Sequence, residues 1–137
     1  MPDPTAPILA ARGPEVRLEL DYAAPRGHLY AVLRGTPALL EVTMRGVGDD
    51  AGVRAFLEFL DRAEALLAPG ENVRVRADLS ALTRVPMSAP LNLGRWILAH
   101  RSQLEDGEVV VGSIVLRILT DKVFHIAGVD SIRLVSG

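Results

Sequence analysis

Cysteine is absent from this 137-residue chain. Disulfide frameworks, thiolate catalysis and cysteine-ligated zinc are thereby excluded, and a cytoplasmic home is the expectation. A basic field is lacking as well: 15 Lys and Arg against 17 Asp and Glu leave a net charge of -2, so nothing draws phosphates and nucleic acid is not an expected partner. No apolar run approaches the ~20 residues that cross a bilayer. The longest, from Val109 to Leu116, is broken by Gly112 and Ser113, and membrane insertion is not expected. The three histidines, His28, His100 and His125, have no His-x-x-x-His or similar spacing, so no metal site is expected. Gly46-Val47-Gly48 lacks the third glycine and the lysine of phosphate-cradling loops. No cofactor is expected.

What is present is enough for one domain with a real core. Residues 1–14 are proline-rich, without a cationic start or a long apolar stretch, and are read as a flexible lead-in rather than a signal. Residues 15–137 form the single domain. Val16-Arg17-Leu18-Glu19-Leu20 alternates apolar and charged residues as a half-buried strand does; Ala24-Pro25-Arg26-Gly27 supplies a turn, and His28 to Leu33 returns as its hairpin partner. Leu39 to Met44 is a third extended run.

From Asp49 the period changes. Val53, Phe56, Leu57, Leu60, Glu64 and Leu67 recur three or four apart, Asp49 and Asp50 are placed to cap the helix, and Pro69-Gly70 stops it. Val73 to Ala77 is the next strand. A strand-to-helix loop, Asp78 to Leu91, follows, then a helix from Leu91 to Leu104 closed by Asp106-Gly107. Glu108 to Val111 reads as a short strand buried on both faces. Leu116, Leu119, Val123 and Ile126 mark a third helix ending at Gly128, and Ser131 to Val135 a last strand. Helix and strand alternating in this way demand a largely parallel sheet with right-handed crossovers, edged by the antiparallel hairpin. The fold class is α/β with about three helices.

Loops after strands in such sheets carry ligands and partners, so the functional residues are sought in DLSALTRVPMSAPL. Asp78 and Ser80 anchor the loop, the carboxylate accepting backbone amides; an acid or base role is the alternative for Asp78. Ser88 either caps the following helix or accepts a phosphate, which the free amides of a helix start would stabilise. Arg84 and Arg95 are solvated charges or, together, an anion contact. A hydrolase built from Ser88, His100 and Asp78 is disfavoured, because no Gly-x-Ser-x-Gly elbow surrounds Ser88 and His100 lies three turns beyond it. Leu93, Trp96, Ile97 and Phe124 read as core, with the lining of a pocket or an exposed patch as the alternative and Trp96 the candidate anchor for a partner.

The order of elements together with this loop resembles the STAS domain, the fold of bacterial anti-sigma-factor antagonists and of sulphate-transporter tails. Against the family's loop motif, Asp78, Ser80 and Leu82 match, Val85 takes an aliphatic place and Ser88 falls on the phosphoacceptor serine. Arg84, Pro86, Met87 and Ala89 depart from it. Those departures are more similar to STAS-like relatives akin to CRAL-TRIO lipid-binding folds, which lack the phosphorylation motif. The resemblance implies a non-catalytic domain that contacts a protein partner or a second copy of itself through Thr83, Arg84, Pro86, Met87, Ser88, Arg95 and Trp96. Its alternatives are a carrier of a small apolar ligand between the sheet and the second and third helices, and a homo-oligomeric structural domain.

Overall fold

The computed structural model describes residues 8–9, 15–129 and 131–136, and leaves the rest of the lead-in outside the described residues. Its elements run β1 (Ile8–Leu9), β2 (Val16–Ala24), β3 (Gly27–Arg34), β4 (Ala38–Val47), α1 (Asp50–Leu66), β5 (Val73–Arg84), α2 (Ser88–His100), β6 (Leu104–Val111), α3 (Ile114–Ala127) and β7 (Ile132–Ser136). The strands form one mixed sheet in the order β1-β2-β3-β4-β5-β6-β7. The first four pair antiparallel and β4 to β7 pair parallel, so the α/β class holds, with the hairpin at the antiparallel end. Ile8–Leu9, within the expected lead-in, pairs with β2.

Sequential strand order has a consequence for the helices. Crossovers of one hand between neighbouring parallel strands place every helix on the same face, and α2 does pack against both α1 and α3. The other face carries charged residues along β4 to β7, whereas Glu19 and Val32 on β2 and β3 are buried there. Across it Glu41, Arg76, Glu108 and Arg133 lie opposite one another on successive strands, paired as Arg34–Glu41 at 3.0 Å, Arg76–Glu41 at 3.8 Å and Arg133–Glu108 at 3.3 Å. Exposed pairs of this sort contribute little stability and keep the face wet. One-sided coverage also corrects the expectation that 108–111 is buried on both faces. Val109 and Val111 are buried and Glu108 and Val110 only half so.

The core is unevenly filled. Under α1, Phe59, Leu20 and Leu33 are among the largest fully buried side chains, and Phe56 stacks on Phe59 with centroids 6.4 Å apart. Asp49 caps α1, its carboxylate accepting the Gly52 amide at 2.7 Å. That helix buries five residues, whereas α2 buries only Ala89 among 13. The second helix therefore stands off the sheet.

Several element boundaries differ from the sequence reading. β5 continues to Arg84 instead of stopping at Ala77, because a bulge interrupts its alternation: Thr43 faces Asp78 while Arg45 faces Ala81, so an extra residue of β5 is accommodated between them. Inward residues thus run Val73, Val75, Ala77, Leu79 and then Leu82. α2 in turn ends at His100, a short 3-10 turn (Arg101–Gln103) follows, and Leu104 opens β6. Asp106-Gly107 is not a helix stop. It lies inside β6, where Asp106 pairs with Arg74 at 2.8 Å and a Cβ on Gly107 would strike the Val75 carbonyl.

Candidate functional site

Between the stand-off helices and the sheet lies a cavity of about 180 Å³. Its floor is the inward row of the parallel strands, Leu40, Val42 and Met44 on β4 with Ala77 and Leu79 on β5; its roof is Leu93, Trp96 and Ile97 of α2 and Leu119, Val123 and Phe124 of α3. Among all its wall side chains only Thr120 and Trp96 carry a polar group. Both are engaged: the Thr120 hydroxyl donates to the Leu116 carbonyl at 2.7 Å and the Trp96 indole to Asp61 Oδ1 at 2.9 Å. The chamber is therefore an apolar one, without a group that would bind metal, polarise a carbonyl or move a proton. Among the described residues, no cluster of three or more His, Asp or Glu side chains is arranged to hold a metal ion.

A smaller cavity, about 70 Å³, adjoins it at the carboxyl ends of β4 and β5. Met44, Phe56, Leu82, Val85, Ala89 and Leu93 are walls of both. Its lining also includes Tyr22, His28, Arg45, Gly48 and Asp49, with almost all of the surface apolar. Gly52 makes room there, since a Cβ would meet the Tyr22 ring and the Asp49 carboxylate at 3.1 Å. The Tyr22 hydroxyl donates to Asp49 at 3.1 Å, and partial burial, then this bond, raise its pKa above the usual phenol value. His28 Nε2 lies 2.6 Å from Asp21.

The loop singled out from sequence divides between strand and helix. Asp78 and Ser80 sit at the bulge, where the Asp78 carboxylate accepts the Ser80 hydroxyl at 2.6 Å and its amide at 3.0 Å. Those bonds, the hydroxyl first, hold the Asp78 carboxyl below its usual range. Thr83 and Arg84 are the exposed end of β5, the Thr83 hydroxyl donating to the Gly46 carbonyl at 2.9 Å. Only Val85, Pro86 and Met87 remain as loop. The cap expectation for Ser88 is corrected: Met87 occupies the cap position in helical conformation with no side-chain bond, and Ser88 is the first helical residue. Its hydroxyl donates instead to Asp50 Oδ1 at 2.7 Å, on the first turn of α1. Pro90 sits in the first turn, where its missing N–H costs nothing.

The other expected residues separate. Trp96 lines the large cavity and stacks on His100 with centroids 4.1 Å apart. Arg84 and Arg95 are exposed, and neither lines either chamber. Ser88, His100 and Asp78 share no hydrogen bond. The residues sequence reasoning passed over are Met44, Arg45, Tyr22 and Thr120. The first could have been placed by extending the Leu40-Val42-Met44 alternation, but nothing local marks the other three. No family model, curated protein or solved structure matches this chain.

Proposed function

We propose that this chain is a non-catalytic, cytoplasmic binding module of STAS-like architecture whose ligand is a small apolar molecule held between the sheet and the second and third helices. The observation that carries this reading is the apolar chamber of about 180 Å³. It compares with the ~150 Å³ apolar cavity that takes up benzene. Apolar walls with no neighbour across that space lose dispersion contacts. An apolar occupant restores those contacts without needing a polar partner. α2 suits the part of a cover, since polar bonds to α1, from Ser88 to Asp50 and from Trp96 to Asp61, hold it above the floor.

The test is a titration with 1-aminoanthracene followed by Trp96 fluorescence and by methyl NMR. Saturable binding is expected, with shifts concentrated on Leu93, Leu119 and Val123 and lost in Ala77→Leu, which fills the floor. An identical response from wild type and Ala77→Leu would sink the reading.

A second reading, docking of a protein partner or a second copy in the manner of an anti-sigma-factor antagonist, is favoured by a different observation. Met87 is 86% exposed and Leu91 57%, within the surface from Thr83 to Arg95. Met87→Ser with Leu91→Ser would then abolish a captured complex, or a dimer seen by light scattering, and leave probe uptake intact.

A further inference from the structure

We infer that the outer faces of α2 and α3 are a docking surface for an anionic lipid bilayer, on which the molecule lies without crossing it. The inference goes beyond the cavity reading and does not depend on what fills the chamber. Six large apolar side chains are exposed among the described residues, and five of them, Met87, Leu91, Leu98, Ile114 and Ile118, belong to α2, its cap position and α3. Ile114 is 77% exposed and Ile118 53%. Leu91 and Leu98 follow Met87 at steps of four and seven, and Ile118 follows Ile114 at four, so each helix carries one outward apolar stripe. The two helices are neighbours, and each runs from the carboxyl end of one parallel strand to the amino end of the next. Their stripes therefore lie side by side. Each helix is apolar on two faces, with Leu93 and Ile97 or Leu119 and Val123 lining the cavity and the stripe turned away from it. A helix that faces water keeps its outer face polar, as α1 does by exposing Arg54, Glu58, Asp61 and Arg62.

Charge selects the occupant. Arg95 stands between Leu91 and Leu98 on the α2 stripe, and Lys122 one turn beyond Ile118 on the α3 stripe, both exposed. Their side chains, like that of Arg101 in the turn after α2, have no hydrogen bond or ion pair among the described residues. Residues 88–103 and 113–128 together hold four Lys and Arg and one carboxylate, Asp121, although the whole chain has 15 Lys and Arg against 17 Asp and Glu. The positive excess is local. None of the six exposed apolar side chains is aromatic, whereas the centre of a protein interface is rich in aromatic residues and poor in Lys. Aliphatic side chains interleaved with unpaired cations match the boundary between acyl chains and anionic headgroups, where the stems of Arg and Lys lie in the apolar layer and their charges reach the phosphates. No helix of the described residues is long and apolar enough to cross a membrane, so contact is with the surface.

Flotation of the full chain with vesicles of phosphatidylglycerol and phosphatidylcholine, beside vesicles of phosphatidylcholine alone, provides the test. Wild type is expected to float with the anionic vesicles at low salt, to leave them at high salt, and to bind the neutral ones far more weakly. Ile114→Ser with Ile118→Ser weakens the binding about tenfold or more, and Arg95→Gln with Lys122→Gln about thirtyfold. Arg76→Gln with Arg133→Gln, on the charged face of the sheet, lowers the net charge equally and leaves binding nearly unchanged. All six side chains are exposed, so the variants keep the melting temperature of wild type. Wild type that floats with neither vesicle at low salt would overturn the inference, as would equal losses in the helix pair and the sheet pair of charge variants. A dimer or a captured protein abolished by Ile114→Ser with Ile118→Ser, without vesicle binding, would give the stripes to a protein and overturn the bilayer as their occupant. Uptake of 1-aminoanthracene is untouched by any of these outcomes, so failure here and failure of the cavity reading are told apart.

Discussion

The indole Nε1 of Trp96 donates to Asp61 Oδ1 at 2.9 Å, tying the middle of α2 to α1 across the roof of the cavity. Only Ala89 is fully buried in α2, whose other holds are the partly buried Leu93, Trp96 and Ile97, its packing on α3 and the Ser88–Asp50 bond. The Trp96–Asp61 bond is exposed, so water replaces much of what Asp61→Leu removes, and stability falls by no more than about 1 kcal/mol. Local opening responds more. Amide exchange in 91–98 is expected to accelerate several-fold relative to α1, together with faster probe entry. Exchange rising equally in both helices would show that the bond does not restrain α2 in particular.

Filling the floor tests the cavity from the opposite side. Ala77 sits on the central strand β5, 8% exposed, as one wall of the large chamber. Ala77→Leu adds methylene groups to space that is already there, so it gains contacts without displacing neighbours. A stabilisation of about 0.5–2 kcal/mol in urea melts is expected, along with loss of probe binding. In an ordinary packed core the same change would destabilise by about 1–3 kcal/mol. The sign alone decides.

Much of this architecture was legible in the chain, because its elements have strong local signals. The α1 stripe, its Asp49 cap and Gly128, which adopts φ 71 just past α3, follow from side-chain period and backbone permissiveness. The reading failed where long-range pairing sets the conformation. Asp78-Leu79-Ser80 has turn chemistry, yet the structure uses it for a bulge inside a strand, with the Asp78 carboxylate taking the Ser80 amide. Gly107 and Gly112 read as breakers, but each sits where a Cβ would strike a carbonyl of β5, so they record close approach between strands. The cavity was legible only as an alternative, an apolar ligand between the sheet and the second and third helices: Leu93, Ile97 and Phe124 have the period of core residues, and nothing in a period tells how far a helix stands from the sheet.

Acid should loosen the far end of the sheet through Glu71. Its carboxylate accepts from Arg17 at 2.8 and 3.2 Å and from the Ala68 amide at 2.9 Å, and these bonds, Arg17 first, hold its pKa below the usual value. A carboxyl depressed by folding stabilises fully above its unfolded pKa of about 4.3 and loses that contribution as pH falls through the folded value. Glu71→Gln is expected to cost about 1 kcal/mol at neutral pH. Melting temperatures of wild type and variant should begin to converge as pH falls below about 4.3 and meet below the lowered folded value. A gap that stayed constant down to about pH 3 would assign the effect to shape instead of charge.

Ser88 is the residue at which the two functional readings make different demands. Its hydroxyl donates to Asp50 Oδ1 at 2.7 Å, so Ser88→Glu places a second carboxylate against the first and removes the donor between them. Like charges at that separation repel, and the first turn of α2 is expected to lift from α1 at a cost of about 1 kcal/mol. If the chain is a binder of apolar molecules covered by α2, Ser88→Glu speeds both uptake and release of 1-aminoanthracene, because the roof opens more often. Ser88→Ala removes the bond without adding charge and gives a smaller change in the same direction. The docking reading requires instead that Ser88→Glu abolish a complex while probe kinetics stay those of wild type. Stopped-flow fluorescence of Trp96 beside a capture assay on the same three proteins separates the two.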